Sequence, residues 1–348
     1  MSLAPRPVPL LTPDLPGVGG LTRVAEEDFR VEELPLYEPR GTGEHLYLTV
    51  EKRGRTTPEV ARELARALGA RERDVGTAGL KDKRAVTVQR ISVLTRASAE
   101  EALGISGEGF RVLAAARHEN KLRPGHLRGN RFRIVVRGVA AGAPELAAAV
   151  LERLRERGVA NLFGPQRFGR REDNADLGRK ILLREAQVRD RFLRRMALSA
   201  LQSELFNRCL AARIADGLFD TAIEGDVLRK RDSGGLFVGS AADAPRVRAQ
   251  KIDPAGPLPG HSIFAAAGEA LAREEAVLRE AQVEAAWFKA GGDEAQGARR
   301  PYRIPLEDAR VEALPDSALA LSFSLPKGSY ALTVLREVIK GAAAPIDE

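Results

Sequence analysis

The chain has 348 residues, a formal net charge of +7 and a sequence pI near 9.7. This length is typical of two domains, each with its own hydrophobic core. A single cysteine, Cys209, excludes an internal disulfide framework, and no apolar run approaches the length of a membrane span, so we expect a protein of the reducing cytoplasm.

The positive charge favours a nucleic acid as partner. Most of the basic residues are arginines, whose planar guanidinium group suits phosphate oxygens. An Arg- and Ala-rich proteome would produce the same bias without any ligand, so charge alone leaves both interpretations open. Residues 1–20 are rich in proline and glycine and lack the basic-then-apolar pattern of a signal peptide, which predicts a flexible N-terminal lead.

The first half of the chain predicts a mixture of helices and short strands. Thr57 is expected to cap a helix that Pro58 begins and Gly69 ends, with an apolar stripe that includes Val60 and Leu64. A second helix is expected at 144–157. Alternation of apolar and polar residues predicts strands at 29–34, 46–50 and 132–136, and strands are also expected at 75–80 and 86–94.

The second half differs in composition and pattern. Helical patterns dominate at 188–215 and 269–290, and 290–300 is typical of a linker. Strand patterns return at 309–314 and 318–325, before an expected helix at 329–339.

Strands at both ends of the chain, with a helix-rich middle, predict an α+β fold: a mostly antiparallel-sheet domain that carries an inserted, helix-rich α/β domain. We expect the C-terminal strands to rejoin the first sheet. The expected lead is 1–20, the outer domain is 21–160 plus 301–348, and the inserted domain is 161–300.

Several common kinds of site are excluded by their residue patterns. There is no phosphate-cradling glycine loop, and the segment 41–43 precedes a strand, so it does not fit a dinucleotide-binding turn. No Ser-His-Asp set is recognisable. The histidines have no cysteine or carboxylate at metal-ligand spacing; they are His45, His118, His126 and His261.

A carboxylate among cations is the most informative feature that remains. Asp82 lies between Lys81 and Lys83, with Arg84 next, in an expected turn between two strands. An acid is not needed there to keep the surface soluble, because the neighbouring cations already do so. A better explanation is an anion that is held for chemistry near a phosphate backbone. The alternative is a turn aspartate that bonds its own backbone, and local chemistry alone favours that alternative.

Five segments in order resemble the motifs of the TruD family of tRNA pseudouridine synthases. The resemblance as a whole extends over nearly the whole chain, from about Phe29 to Glu337. The segments are AGLKDKRAVT (78–87), GNRF (129–132), NLFGPQRFG (161–169), ALQSELFN (200–207) and FSLPKGSYA (323–331).

The resemblance implies a pseudouridine synthase catalytic domain with an inserted TRUD-type domain. It assigns Asp82 as the nucleophile, Asn130 to position Asp82 or the sugar, and Phe29 and Phe323 to contact the target nucleotide. It implies tRNA as the partner, no cofactor or metal, and no protein partner or membrane; a monomer is our default. Further RNA contacts are expected at Lys81, Lys83, Phe132, Arg167 and Lys327, with Arg170 and Arg171 beside Arg167.

Each of these assignments has a plainer alternative. The phenylalanines could be core residues of strands, and Asn130 could be a turn residue after Gly129. The helix at 329–339 could begin with Ser329 as its cap. The basic cluster around Arg167 could be a solvated surface.

The chain departs from the family pattern at three positions. Arg23 and Glu26 stand where the family usually has lysine and proline, and Leu332 where it commonly has threonine. We expect these changes to alter the rim of the pocket and none of them to touch Asp82.

The resemblance implies isomerisation of a uridine, at position 13 of certain tRNAs, to pseudouridine. Asp82 would attack carbon 6 of uracil or the anomeric carbon of ribose, and the residues leave both routes open. The rival function is an RNA-binding protein without catalysis, which explains the charge and the aromatic residues but not the acid at Asp82. A metal-dependent nuclease is disfavoured, because Asp82 has no second carboxylate at suitable spacing.

Overall fold

The computed structural model describes residues 3–341, and the chain divides into two compact units. The sheet unit comprises 15–152, 306–331 and the chain from Val338 on; the helical unit comprises the segment up to Asp14, 153–305 and 332–337. The expected inserted domain, 161–300, falls within the helical unit. The division into catalytic and inserted domains stays a prediction. The outermost residues of the expected lead and of the expected outer domain, at the two ends of the chain, lie outside the described range.

The described strands are short, and most belong to the sheet unit. In chain order they are β1 (Leu21–Thr22), β2 (Phe29–Pro35), β3 (His45–Arg53), β4 (Val75–Thr77), β5 (Val86–Leu94), β6 (Ser106–Gly107), β7 (Phe110–His118), β8 (Leu127–Arg137), β9 (Val159–Ala160), β10 (Val227–Lys230), β11 (Leu236–Val238), β12 (Ile252–Leu258), β13 (Ala298–Pro301), β14 (Arg303–Ile304), β15 (Glu307–Leu314) and β16 (Ala318–Pro326).

The helices are α1 (Thr57–Ala67), α2 (Ala99–Leu103), α3 (Ala143–Arg157), α4 (Asn174–Leu182), α5 (Arg191–Ala215), α6 (Ala244–Arg248), α7 (Gly268–Glu280) and α8 (Leu332–Ile339). Short 3₁₀ helices occupy Glu26–Asp28, Glu72–Asp74, Pro165–Phe168, Ala241–Asp243 and Ala285–Ala295. Within residues 3–341, no helix is both long and apolar enough to cross a membrane.

A mostly antiparallel sheet forms the core of the sheet unit. Its strand order is β15-β16-β8-β2-β5-β3-β7-β6, with β1 beside β8 and β4 beside β5. Strands β2 and β5 pair in parallel, and the other described pairs of this sheet are antiparallel. Strand β16 pairs with β8 along its whole length, which confirms that the C-terminal strands rejoin the first sheet.

Helix α1 confirms the expected buried stripe but begins with a different cap. Val60 and Leu64 are fully buried and pack against apolar residues of β3 and β5. Thr56, not Thr57, caps the helix: its hydroxyl accepts from the Glu59 amide, and the Glu59 carboxylate accepts from the Thr56 amide. This reciprocal capping box needs glutamate three residues after the cap, and only Thr56 has one.

Other expected boundaries were wrong where pairing with distant residues decides the structure. Strand β4 ends at Thr77 because residues 78–85 form a loop before β5. The expected linker at 290–300 contains the end of a 3₁₀ helix and β13, which pairs with β12 despite its two arginines. Helix α8 begins at Leu332, so Ser329 does not cap it.

The helical unit is organised around α5 and a four-stranded sheet of order β11-β10-β12-β13. Fourteen of the 25 residues of α5 are buried. They include Cys209, the thiol of which has its pKa raised by burial to about 12, so it is not a thiolate nucleophile at neutral pH. Buried ion pairs also contribute, such as Arg213 Nη2 to Asp226 Oδ2 at 2.7 Å.

The N-terminal segment is packed, whereas the sequence predicts a flexible lead. Leu3, Val8 and Leu11 are buried. The carboxylate of Glu337, which is 1% exposed, accepts hydrogen bonds from the amides of Leu11 and Thr12 at 3.0 and 3.1 Å and from the Thr12 hydroxyl at 2.9 Å. The apolar residues between the prolines are therefore buried, and Glu337 is one of the carboxylates that accept hydrogen bonds from backbone amides of this segment.

Replacing Glu337 by glutamine is expected to destabilise the helical unit. The amide turns an NH₂ group toward the donors of Leu11 and Thr12, and each buried N–H left unpaired costs about 1–3 kcal/mol. Thermal unfolding followed by circular dichroism should therefore have a lower midpoint. The matched control is Glu269→Gln, because the Glu269 side chain is 55% exposed and its pair with Arg273 spans 3.8 Å. Equal midpoints for the two variants would contradict this account.

Candidate active site

Asp82 projects from the loop at 78–85, and its side chain is 46% exposed. Its Oδ2 accepts a hydrogen bond from Nη2 of Arg23 at 2.9 Å. The expectation that Arg23 does not touch Asp82 was therefore wrong. The long guanidinium side chain reaches the loop from the segment before β2, a contact between residues far apart in sequence.

The guanidinium of Arg23 also covers an aromatic ring. Its central carbon lies 4.0 Å from the centroid of Phe29, within the range of a cation–π contact. The backbone of Arg23 has φ 59°, a conformation that few non-glycine residues adopt. Arg23 thus connects the Asp82 carboxylate to the face of Phe29.

The strand register aligns side chains beneath the Asp82 loop. A single row crosses five neighbouring strands, from β3 to β16, and consists of Lys52, Thr87, Val31, Phe132 and Phe323. Paired residues of adjacent strands project from the same face of a sheet, so these side chains share one face. Phe29 precedes Val31 by two residues and lies on that face too.

The three phenylalanines pack together on this face. Ring centroids are 6.3 Å apart for Phe29 and Phe132 and 5.4 Å apart for Phe132 and Phe323. All three are buried, and Phe323 is 0% exposed. Their packing agrees with the core alternative, so any contact with a nucleotide requires the face to be uncovered first.

Lys81 turns inward rather than toward solvent. Its Nζ lies 3.0 Å from Oε2 of Glu33, and the two side chains are 6% and 2% exposed. The other oxygen of Glu33 accepts from the Arg90 amide at 3.2 Å. Because its ammonium is already paired, Lys81 is not placed for the RNA contact that the sequence predicts, and it holds the loop instead.

Asn130 lies within β8, opposite Glu33 of β2 and Leu325 of β16, and is not a turn residue. Its Oδ1 is buried and has no hydrogen-bond partner among the described residues. Unpaired buried acceptors are uncommon because each carries a desolvation cost. Asn130 therefore offers a free acceptor on the same face as Glu33.

Two residues of this site were missed in the sequence analysis. Lys52 is 1% exposed, and its Nζ donates to the carbonyl oxygens of Asp82, Arg55 and Lys81. Glu33 is the buried partner of Lys81. The strand pattern could have revealed both, because each is a charged residue at an inward position of an alternating strand. In β3, for example, the row of inward positions ends at Lys52.

The other expected RNA contacts lie at separate places. In the sheet unit, Lys83 is exposed, and Nζ of Lys327 donates to the Gly125 carbonyl at 2.9 Å. In the helical unit, Arg167 donates to the hydroxyl of Ser203 at 3.2 Å and stacks on Phe163, which leaves it partly buried. Its neighbours Arg170 and Arg171 are exposed.

The geometry pairs a half-exposed carboxylate with an arginine, in a loop whose backbone a buried ammonium bonds, above an aromatic face. Such a carboxylate can act as a nucleophile or as a general base on a planar ring. The carboxylate and the acceptor of Asn130 suit a substrate that presents both an electrophilic carbon and a polar N–H or O–H group.

Comparison with known proteins gives the same family over almost the entire chain. The family model of tRNA pseudouridine synthase D (TruD) matches residues 8–188 and 186–338. The tRNA pseudouridine synthase D of Anaeromyxobacter sp. (strain Fw109-5) is 53% identical over 343 residues, with 96% of this chain and 97% of that protein covered. A protein of the same name from Thermus thermophilus is 48% identical over 338 residues, with 97% and 93% covered.

A solved structure agrees with these relatives. The crystal structure of a Methanosarcina mazei protein described as tRNA pseudouridine synthase D (TruD) superposes with a TM-score of 0.79 at 26% identity. It covers 97% of this chain, and this chain covers 97% of it. From the family match and the near-complete alignment with these relatives, the chain belongs to the tRNA pseudouridine synthase D (TruD) family.

Proposed function

We propose that this chain isomerises a uridine of tRNA, at position 13, to pseudouridine in the cytoplasm, with Asp82 as the nucleophile. The observation that carries the proposal is the Asp82 carboxylate, half exposed and ion-paired to Arg23 above the face that bears Phe29 and Asn130. Membership of the family supports the reaction. The position in the tRNA rests on the family resemblance.

The reaction conserves all atoms of the uridine. A carboxylate oxygen of Asp82 bonds to carbon 6 of uracil or to the anomeric carbon, and the bond from nitrogen 1 to the sugar breaks. The detached uracil rotates, and its carbon 5 bonds to the anomeric carbon. Carbon 5 then loses its proton and nitrogen 1 takes one up, so the product is an isomer of uridine. The bond to Asp82 breaks on either route: carbon 5 displaces the carboxylate from the anomeric carbon, or the carboxylate leaves carbon 6.

The remaining residues of the face are assigned to binding the nucleotide. Asn130 Oδ1 would accept from the imide N–H of uracil or from a ribose hydroxyl, which would satisfy its buried acceptor. Phe29 and Phe323 would contact the base. Because the Arg23 guanidinium covers Phe29, a base that stacks there must displace it from the ring.

The energetics of base entry are consistent with aromatic contacts. A uridine within folded RNA must leave its stack before a carboxylate can reach it, at a cost of a few kcal/mol. Stacking on aromatic side chains returns about 1–3 kcal/mol per base. Walls of phenylalanine would also keep water from the detached uracil.

Replacing Asp82 by asparagine is expected to abolish pseudouridine formation and to keep tRNA affinity. The amide has nearly the same shape but is a poor nucleophile. Pseudouridine is measured in unmodified tRNA transcripts that carry uridine 13, beside wild type and the control Asp74→Asn, which changes another aspartate of the sheet unit.

The same experiment separates the proposal from the non-catalytic rival. Activity in wild type and Asp74→Asn but not in Asp82→Asn supports the proposal. If no variant forms pseudouridine while all bind tRNA tightly, the RNA-binding function replaces it.

Arg23 is expected to act through Asp82. The variant Arg23→Met removes the charge and the donors of this side chain. It should slow a single turnover about tenfold, because the carboxylate loses the group that orients it. This factor corresponds to about 1.4 kcal/mol. Arg23→Lys restores the residue that the family usually has and should keep most of the rate. Equal rates for Arg23→Met and wild type would show that the ion pair has no part in the chemistry.

Arg170 and Arg171 are expected to bind tRNA phosphates. Each phosphate contact that is lost should reduce the slope of log affinity against log salt by about 0.7–0.9. The double variant R170A/R171A is compared with Arg246→Ala, an arginine of the same unit that is paired with Asp243 at 2.7 Å. A slope that is unchanged in the double variant would identify the cluster as a solvated surface.

A further inference from the structure

The ammonium group of Lys52 is buried against backbone carbonyls. Its Nζ lies 2.7 Å from the carbonyl oxygen of Asp82, 2.8 Å from that of Arg55 and 3.3 Å from that of Lys81. An ammonium group has three N–H donors, so each of them has an acceptor here. Within the described residues these hydrogen-bond partners are all carbonyls, and no carboxylate is among them.

Packing alone gives no reason for a charge at this position. Leu46, Leu48 and Val50 occupy the preceding inward positions of β3 and are fully buried. Burying an ion costs several kcal/mol, and an apolar side chain of similar volume at such a site is often neutral or stabilising. What the lysine adds is the bonds to the loop, since two of its three acceptors belong to Lys81 and Asp82.

Other contacts fix Lys81, whereas Lys52 acts on Asp82 itself. The amide of Lys81 donates to the hydroxyl of Thr57 at 3.1 Å, and its side chain pairs with Glu33. The bond from Lys52 fixes the direction of the Asp82 carbonyl. Because the peptide groups are planar, this direction limits where the Asp82 side chain can point.

We propose that Lys52 is a positioning residue: its ammonium clamps the carbonyls of Lys81 and Asp82 and so holds the Asp82 carboxylate in its reactive orientation. The inference rests on the proposed role of Asp82 and deepens it. Lys52 acts through Asp82 and does not contact the substrate.

The clamp is sensitive to alkaline pH. Burial lowers the pKa of Lys52 to about 8, and the negative charge of Asp82 opposes that decrease. The other charged groups that act on the ammonium are Lys81 of the same loop, Glu59 of α1 and Glu26 before β2. The charged clamp is therefore complete below this pKa and is lost as pH rises through it, since the neutral amine has one N–H donor fewer.

The test compares wild type with Lys52→Met and Lys121→Met. Methionine keeps the volume of the stem but has no charge and no donor. Lys121 is the matched control, because its Nζ also donates to a backbone carbonyl, that of Arg73 at 2.6 Å, outside the loop. Single-turnover pseudouridine formation and tRNA affinity are measured from neutral pH to about pH 9, on both sides of the Lys52 pKa.

Lys52→Met should slow a single turnover about 10- to 100-fold at neutral pH with unchanged tRNA affinity, because a misplacement of the nucleophile by about 1 Å costs this much. The wild-type rate should decline above pH about 8, and the Lys52→Met rate should lack that decline. Lys121→Met should match wild type. Equal rates for Lys52→Met and wild type at every pH would overturn the proposal.

Hydrogen exchange of the loop at 78–85 provides a readout that needs no activity. It should be faster in Lys52→Met and unchanged in Lys121→Met; unchanged exchange in both would overturn the clamp. If wild type forms no pseudouridine, the proposed function fails and this measurement still decides whether the clamp exists. If Lys52→Met does not fold, wild-type exchange decides: loss of protection above pH about 8 supports the clamp, and constant protection overturns it.

Discussion

The antiparallel register of β8 between β2 and β16 is the constraint on which the candidate site depends. It brings Phe132 opposite Phe323 and places Asn130 between strands from the two ends of the chain. A slip of one residue would turn all of these side chains to the other face. Opposite charges on the outward face, such as Glu32 and Arg131 with 3.0 Å between them, favour the observed register over the slipped one.

Three cations in or beside the Asp82 loop bind three different kinds of partner. Lys81 is neutralised by Glu33 in the interior, Lys52 holds backbone carbonyls, and Arg23 pairs with the carboxylate. The charge that bears directly on the Asp82 carboxylate is thus mainly that of Arg23. An unpaired carboxylate would repel RNA phosphates, and this pairing reduces that repulsion while leaving the side chain half exposed.

The sequence predicted what depends on local periodicity and motif order. Each strand or helix buries one face, and this burial imposes a repeating pattern of apolar residues. That pattern predicted the alternating strands, the buried stripe of α1 and the return of the C-terminal strands to the first sheet. The burial of the phenylalanines was foreseen as the plainer alternative. The family followed from the order of five motifs, and the comparisons confirmed it.

What could not be predicted depends on contacts between distant residues. The three basic residues at 81, 83 and 84 look alike in sequence, yet Lys81 turns inward because Glu33 is buried beneath it. The contact of Arg23 with Asp82 depends on the path of the chain before β2, which no local pattern predicts. The sequence predicts Thr57 as a cap, but its hydroxyl accepts from the Lys81 amide, since the cap is the residue before it.

The arginine at position 23 makes the aromatic face and the carboxylate interdependent. Its guanidinium occupies the face of Phe29 and at the same time bonds Asp82. A planar base that takes its place over the ring must shift the guanidinium, and with it the donor that bonds the Asp82 carboxylate. A lysine has no planar group to stack on the ring, so at this position it would pair with Asp82 and cover less of Phe29. The departure from the usual family residue therefore keeps a positive charge beside the carboxylate and adds a planar group over the face of Phe29.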